Sequence, residues 1–108
     1  IDAMGGDTGP SVIVAGAARA LRRDPGLTFH FYGDQKAIRA EVRAHPNLTD
    51  RAVIHHSPEA IEASEKPSQA LRRARTTSMG MAINAVKEGH AGAALSAGNT
   101  GALMAISK

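Results

Sequence analysis

Residues 2–10 read Asp2-Ala-Met-Gly-Gly-Asp-Thr-Gly-Pro10, the most distinctive stretch of the sequence. Three of its residues, at positions 5, 6 and 9, are glycines, which let a backbone turn sharply and approach a neighbour closely. Pro10 suits the first position of a helix, and apolar or small residues recur at helical spacing from Ile13 to Ala20. The stretch therefore predicts a strand end at residues 1–3, a glycine-rich loop, and a helix over residues 10–23.

Strand and helix patterns alternate along the rest of the chain. Further strands are predicted at residues 27–32, 52–55 and 91–96. Further helices are predicted at residues 35–44, 67–75, 78–88 and from 100 onward. Asp34 and either Thr77 or Ser78 suit N-terminal caps, and Gly89 suits a helix stop. Position in the alternation is the main support for the strand at 91–96, because its small residues have poor strand propensity. The structure of residues 57–64 stays open.

This alternation is typical of α/β proteins, in which helices cover both faces of a parallel sheet. We therefore expect a three-layer α/β/α sandwich with a mainly parallel, Rossmann-like sheet. Both ends of the sequence read as cuts through structural elements, at Ile1 and at Lys108. Residues 1–108 are accordingly expected to be the N-terminal segment of a single larger α/β catalytic domain.

Composition excludes several classes of function. The 108 residues contain no cysteine, so this segment holds no disulfide scaffold, thiolate metal site or catalytic cysteine. The net charge is +3, but the arginine clusters at residues 22–23 and 72–75 lack interleaved aromatic residues, which argues against nucleic-acid binding. The histidines have no metal-ligand spacing and no Gly-x-Ser-x-Gly turn exists, so we expect neither a metal nor Ser-His-Asp catalysis.

Two glycine-containing loops carry the first candidates for chemistry. The loop at residues 2–10 can present backbone N–H groups to an anion at a helix N-terminus, or it can be a tight turn without a ligand. Asp2 and Asp7 would repel an anion, so they more plausibly brace this loop. The loop at residues 96–101 adds serine, asparagine and threonine donors to two glycines. These donors suit a phosphoryl oxygen or an oxyanion, although Asn99 or Thr100 can also serve only as a helix cap.

A third loop, at residues 65–73, precedes and begins a predicted helix. Pro67 presets the start of the helix and puts Ser68 in its first turn. Lys66, Arg72 and Arg73 supply positive charge, and arginine can bind phosphate through two hydrogen bonds. The simpler interpretation of such a helix is a solvated, charged face.

Together these motifs resemble the PlsX family of bacterial phosphate acyltransferases. The resemblance is carried by residues 2–7, 66–73, 78–79, 82–89 and 96–104, in the order and spacing of that family. It implies a transferase of phospholipid synthesis that converts acyl-acyl carrier protein and inorganic phosphate to acyl-phosphate. It also implies a cytoplasmic homodimer without a cofactor, with peripheral membrane association as a further possibility. One departure is Thr8, where the family often has histidine, so an acid–base role at this position is not carried over.

The resemblance also assigns the candidate site. Because phosphate is itself the nucleophile, the protein needs only to bind the anion, align it and stabilise the oxyanion. Asn99 is the candidate oxyanion donor. The expected phosphate and acyl-phosphate contacts are Gly5, Gly6, Asp7, Lys66, Ser68, Arg72, Ser96, Gly98, Asn99, Thr100 and Gly101. Two alternatives remain: an enzyme like phosphotransacetylase that uses acyl-coenzyme A, and a non-catalytic module that binds an anion or a nucleotide.

Overall fold

Helices and strands alternate along the residues that the computed structural model describes, 1–6 and 8–108. The helices there are α1 (Pro10–Arg23), α2 (Gln35–Arg43), α3 (Pro67–Arg72), α4 (Ser78–Lys87) and α5 (Thr100–Ser107). Short 3₁₀ turns span Pro46–Leu48 and Ala74–Thr76. The strands are β1 (Phe29–Gly33) and β2 (Ala52–His56). All the predicted helices are present, and the bounds of α1 are those that the sequence predicts.

The two strands pair in parallel, with Tyr32 opposite His55. The first residues of the chain extend this pairing on the other side of β1. The N–H of Tyr32 donates to the carbonyl of Ile1, and the N–H of Ala3 donates to the carbonyl of Tyr32, both at 3.0 Å. Asp2 thus forms a single parallel bridge with Tyr32. The predicted parallel pairing is confirmed, and the predicted strand end at residues 1–3 is one bridge long.

The predicted strand at residues 91–96 is wrong. These residues adopt no regular secondary structure, although the N–H of Asp2 donates to the carbonyl of Leu95 at 2.9 Å. Alanine and glycine offer little side-chain contact to a neighbouring strand. The one large side chain, that of Leu95, is 67% exposed. Neither propensity nor burial therefore stabilises a ladder here.

The cores lie on both faces of β1, because successive side chains of a strand point to opposite faces. Phe31 is fully buried in one cluster with residues of α1 and α2, among them Val14 and Ile38. Tyr32 packs on the other face against Ala82 and Ala85 of α4. A further cluster joins α3, α4 and α5. The protein is thus an α/β structure with a small parallel sheet, as the alternation predicts.

Helix ends are fixed by the residues that the sequence indicates. The Asp34 side chain accepts hydrogen bonds from the N–H groups of Lys36 and Ala37 at the start of α2. The Thr77 hydroxyl accepts from the N–H of Gly80 at the start of α4. The sequence predicts that the helix from residue 67 continues to 75, but α3 ends at Arg72. It ends early because the next residues tighten into a 3₁₀ turn, in which the Ala74 carbonyl accepts from the backbone and hydroxyl of Thr77.

Candidate functional site

A cleft of about 520 Å³ lies between the glycine-rich loop and the N-terminus of α5. It is lined by Met4, Gly6, residues 60–63 and residues 97–100. We call it the loop cleft. Two of the three loops that the sequence singles out therefore meet at one cavity. Its remaining wall is the irregular segment at residues 60–63, for which the sequence predicts no role.

The two glycine-containing loops touch through their backbones. A Cβ atom added at Gly5 would lie 2.8 Å from the backbone nitrogen of Gly98. It would also lie 3.0 Å from Asp2 Oδ2 and from Ser96 Oγ. Only glycine therefore fits at position 5 without displacing the neighbouring loop. Gly6 follows with a φ of 86°, a conformation that favours glycine.

Asp2 joins these two loops through hydrogen bonds. The residue is 2% exposed, and its carboxylate accepts hydrogen bonds from Ser96 Oγ at 2.8 Å and Ser78 Oγ at 2.6 Å. It also accepts from the N–H of Met4 at 3.1 Å. The bracing role that the sequence suggests for Asp2 agrees with these contacts, whereas Asp7 lies outside the described residues. The sequence gives no sign of Ser78 as a partner, because it is 76 residues away.

The side chain of Asn99 is fully engaged in this structure. Its Oδ1 accepts from the N–H of Ala102 at 3.1 Å, which caps α5. Its Nδ2 donates to the carbonyl of Glu65 at 2.6 Å, with longer contacts to those of Glu62 at 3.1 Å and Ala63 at 3.4 Å. Asn99 thus joins the start of α5 to the segment at residues 60–65. Its role as an oxyanion donor stays a prediction.

The candidate residues of the third loop lie outside the loop cleft. Lys66, Ser68 and Arg72 are exposed and do not line the loop cleft. Their neighbour Pro67 does approach α5, since a Cβ added at Gly101 would lie 2.8 Å from Pro67 Cγ. The structure therefore brings the start of α3 next to the start of α5, while the charged side chains stay in solvent.

Arg73 is the cation that the fold places against the cleft wall. Its guanidinium bonds both carboxylate oxygens of Glu65, at 2.9 and 2.5 Å, and the carbonyl of Ala60 at 2.7 Å. A weaker contact of 3.3 Å reaches Glu59. These hydrogen bonds lower the pKa of Glu65 below its usual range, and a hydrogen bond from Thr76, followed by Arg73, lowers that of Glu59. The sequence indicates Arg73 as a source of charge but not this pairing.

A second cleft, of about 850 Å³, lies on the α4 side of the sheet and is partly lined by Tyr32 and His55. The two rings stack with centroids 4.6 Å apart, and His30 Nδ1 lies 2.8 Å from His55 Nε2. Burial and then the neighbouring charge of His30 lower the pKa of His55. Within the described residues no group of three or more His, Asp or Glu side chains is placed to hold a metal. No helix formed by those residues is long and apolar enough to cross a membrane.

Comparison with known proteins shows which family and which relatives this sequence is similar to. The sequence matches the family described as "Fatty acid synthesis protein" over residues 1–108. Proteins named "Phosphate acyltransferase" are similar to it: that of Erythrobacter litoralis is 55% identical over 108 residues, and that of Phenylobacterium zucineum is 56% identical. The namesake from Caulobacter vibrioides is 52% identical. Each comparison covers 100% of this chain but only 30 or 31% of the relative, so the chain spans less than a third of their length.

Proposed function

The chain belongs to the fatty acid synthesis protein family, and on this premise we propose that it is part of a phosphate acyltransferase. The proposed reaction converts acyl-acyl carrier protein and inorganic phosphate to acyl-phosphate for phospholipid synthesis. The observation that carries the proposal is the backbone contact between Gly5 and Gly98 beside the loop cleft. It brings two glycine-containing loops, which lead into α1 and α5, to one cavity, and helix N-termini of this kind favour bound anions.

The proposed reaction needs no nucleophilic side chain, because phosphate itself attacks the thioester. A phosphate oxygen attacks the thioester carbonyl carbon, the new C–O bond forms, and the carbonyl oxygen becomes an oxyanion. Collapse of this intermediate breaks the C–S bond, and the carrier thiolate leaves and takes up a proton. The protein must align the two reactants and stabilise the oxyanion with preorganised donors.

The start of α5 supplies such donors. The N–H groups of Thr100 and Gly101 lie in the first turn and have no acceptor within the helix, and the helix dipole favours an anion there. In this proposal phosphate binds against Gly5, Gly6 and residues 96–101, and the family resemblance adds Asp7 to these contacts. Lys66, Ser68 and Arg72 add positive charge or orient the loops.

Asn99 acts as the oxyanion donor in the same proposal. Its amide must then leave the carbonyls of Glu62, Ala63 and Glu65, to which it donates in this structure. The arriving thioester carbonyl would replace those acceptors, while Oδ1 continues to cap α5.

The proposal extends to the complete protein. Helices pack against both faces of β1, which supports a three-layer, Rossmann-like sandwich with more sheet than this chain contains. The family resemblance supports a cytoplasmic homodimer that uses acyl carrier protein as partner, with peripheral association at the membrane as a further proposal.

The test is an assay of the full-length enzyme with acyl-acyl carrier protein and phosphate, in which acyl-phosphate is trapped with hydroxylamine. Product formation that requires both substrates is the expected result. Turnover with acyl-coenzyme A and none with the carrier protein would instead make the protein an enzyme like phosphotransacetylase. Phosphate binding without any turnover would make it a binding module.

A further inference from the structure

Asp2 is a buried carboxylate for which the proposed reaction has no use. Its three hydrogen-bond donors, described above, come from the glycine-rich loop, from α4 and from the loop at residues 96–101. Among the described residues no lysine, arginine or histidine forms an ion pair with it. A carboxylate removed from water is costly unless hydrogen bonds replace its hydration. Three donors do this here, and two of them are hydroxyl groups that a neutral acceptor could also bind.

An ionised carboxylate differs from an amide or hydroxyl side chain in that it can only accept hydrogen bonds. Ser96 must therefore point its hydroxyl proton at Asp2, which leaves the Ser96 oxygen free to accept elsewhere. It accepts from the N–H of Gly98 at 3.1 Å. Every proton in the hydrogen-bond relay from Gly98 through Ser96 to Asp2 thus has a fixed direction, and hydrogen bonds to a charged acceptor are the stronger kind.

This relay ends where the two loops meet. Gly98 lines the loop cleft, its nitrogen lies against Gly5, and the next residue begins the cap of α5. Rotation of the Ser96 hydroxyl would break its hydrogen bond with the N–H of Gly98. The N-terminus of α5 would then no longer be held in place relative to the glycine-rich loop.

We infer that Asp2 is a positioning residue, which acts through Ser96 to fix the loop at residues 96–101 against the glycine-rich loop. The inference rests on the proposed function. Asp2 touches no substrate. Because its carboxylate can only accept, it sets the direction of the hydrogen bonds from Gly98 to Ser96 and from Ser96 to Asp2. These bonds align the loop at residues 96–101 with the glycine-rich loop.

The experiment measures steady-state kinetics of the full-length enzyme for Asp2→Asn, Ser96→Ala and the double variant. The amide side chain in Asp2→Asn would keep one carbonyl acceptor but present an N–H₂ group to one of the two hydroxyls. Misplacement by about 1 Å can cost roughly 100-fold in rate, so we expect each single variant to lose roughly 10- to 100-fold in kcat, with a smaller change in KM for phosphate. The double variant should be no slower than the slower single variant, because both changes break one relay.

Ser57→Ala is the matched control. Ser57 is 5% exposed, and its hydroxyl lies 2.7 Å from the carbonyl of Glu59 and 2.9 Å from that of Thr76, with no contact to Asp2. We expect Ser57→Ala to lower Tm and keep kcat, and to combine with Asp2→Asn multiplicatively.

Two results would overturn the inference. Wild-type kcat with a lowered Tm for Asp2→Asn and Ser96→Ala would reduce both to structural contacts, and multiplicative losses in the double variant would mean that Asp2 does not act through Ser96. If Asp2→Asn does not fold, an unchanged kcat of Ser96→Ala alone is decisive. If the wild-type enzyme is itself inactive, the proposed function fails, but amide hydrogen exchange still tests the relay. Faster exchange at Gly98 in Asp2→Asn would support the link from Asp2 through Ser96 to Gly98. Unchanged exchange would reject it.

Discussion

Asn99 combines a structural role in the fold with a proposed role in the chemistry. The sequence predicts two roles for it, cap and oxyanion donor, and the structure contains the cap. Its contacts with carbonyls 34 to 37 residues earlier in the chain have no sequence signal, because they depend on how the segment at residues 60–65 folds back over the cleft. The sequence therefore indicates Asn99 and the helix that it caps, but not the carbonyls that accept hydrogen bonds from its amide.

Two substitutions at this position separate the roles. Asn99→Ser keeps a side-chain acceptor suited to capping α5, whereas Asn99→Ala keeps none and should cost about 1 kcal/mol of stability. Both remove the amide donor. If the amide binds the oxyanion, we expect kcat of the full-length enzyme to fall roughly 100- to 1000-fold in both variants. A thermal melt beside the kinetics distinguishes the two effects, and near-normal kcat in Asn99→Ser would leave Asn99 only its structural role.

Gly5 is predicted to be irreplaceable for a geometric reason. In Gly5→Ala the new Cβ would lie 2.8 Å from the backbone nitrogen of Gly98, so one of the two loops must move. We expect a loss of about 1–3 kcal/mol in the free energy of unfolding, typical of overpacking, and a fall in kcat. Gly16→Ala is the control, because its Cβ would meet nothing within 4 Å and alanine in a helix is favoured by roughly 0.5–1 kcal/mol. Denaturant titration of both variants measures the contrast.

At the scale of elements, local signals predict helices better than strands. Pro10, Asp34 and Thr77 mark helix starts by their own chemistry, and the structure confirms each of them. The strand predicted at residues 91–96 has no such marker and is not formed. The end of α3 also differs, because the turn around Ala74 depends on a close contact with α4, where a Cβ at Gly80 would clash with the Ala74 carbonyl. That contact is tertiary and leaves no trace in the local pattern.

The irregular segment at residues 57–66 should be sensitive to acid. Arg73 lowers the pKa of Glu65 by hydrogen bonding, so the folded state holds the Glu65 proton less tightly than the unfolded state. Its contribution to stability is present above the ordinary carboxyl pKa of 4.5 and is lost as pH falls through the lower, folded value. We expect Glu65→Gln to melt at a lower temperature than wild type at pH 7, and this difference to shrink below about pH 4.5. Melts from pH 3 to 7 test this, and a difference that stays constant would contradict it.

For the molecule as a whole, the described surface includes several large apolar side chains that are left exposed. Large apolar side chains are exposed on several elements, with Val53 at 51%, Leu95 at 67% and Met104 at 66%. Val53 lies on β2, and in the described structure β2 pairs only with β1. The relatives are more than three times as long as this chain. Further sheet and helix packing against these surfaces would explain their exposure.

We therefore expect a purified protein of residues 1–108 to form no acyl-phosphate, the product proposed for the full-length protein. The proposed donors at the start of α5 must stay fixed while the oxyanion develops. Because α5 has only 8 residues and helices below about 12 residues are marginal on their own, its stability depends on tertiary packing. With Met104 exposed on α5, tertiary packing on that side is missing, and the helix should fray. Hydrogen exchange of the α5 amides should be faster in the short protein than in the full-length enzyme, and the trapping assay should detect no product. Turnover by residues 1–108 alone would mean that the whole catalytic site, including every oxyanion donor, lies within this chain.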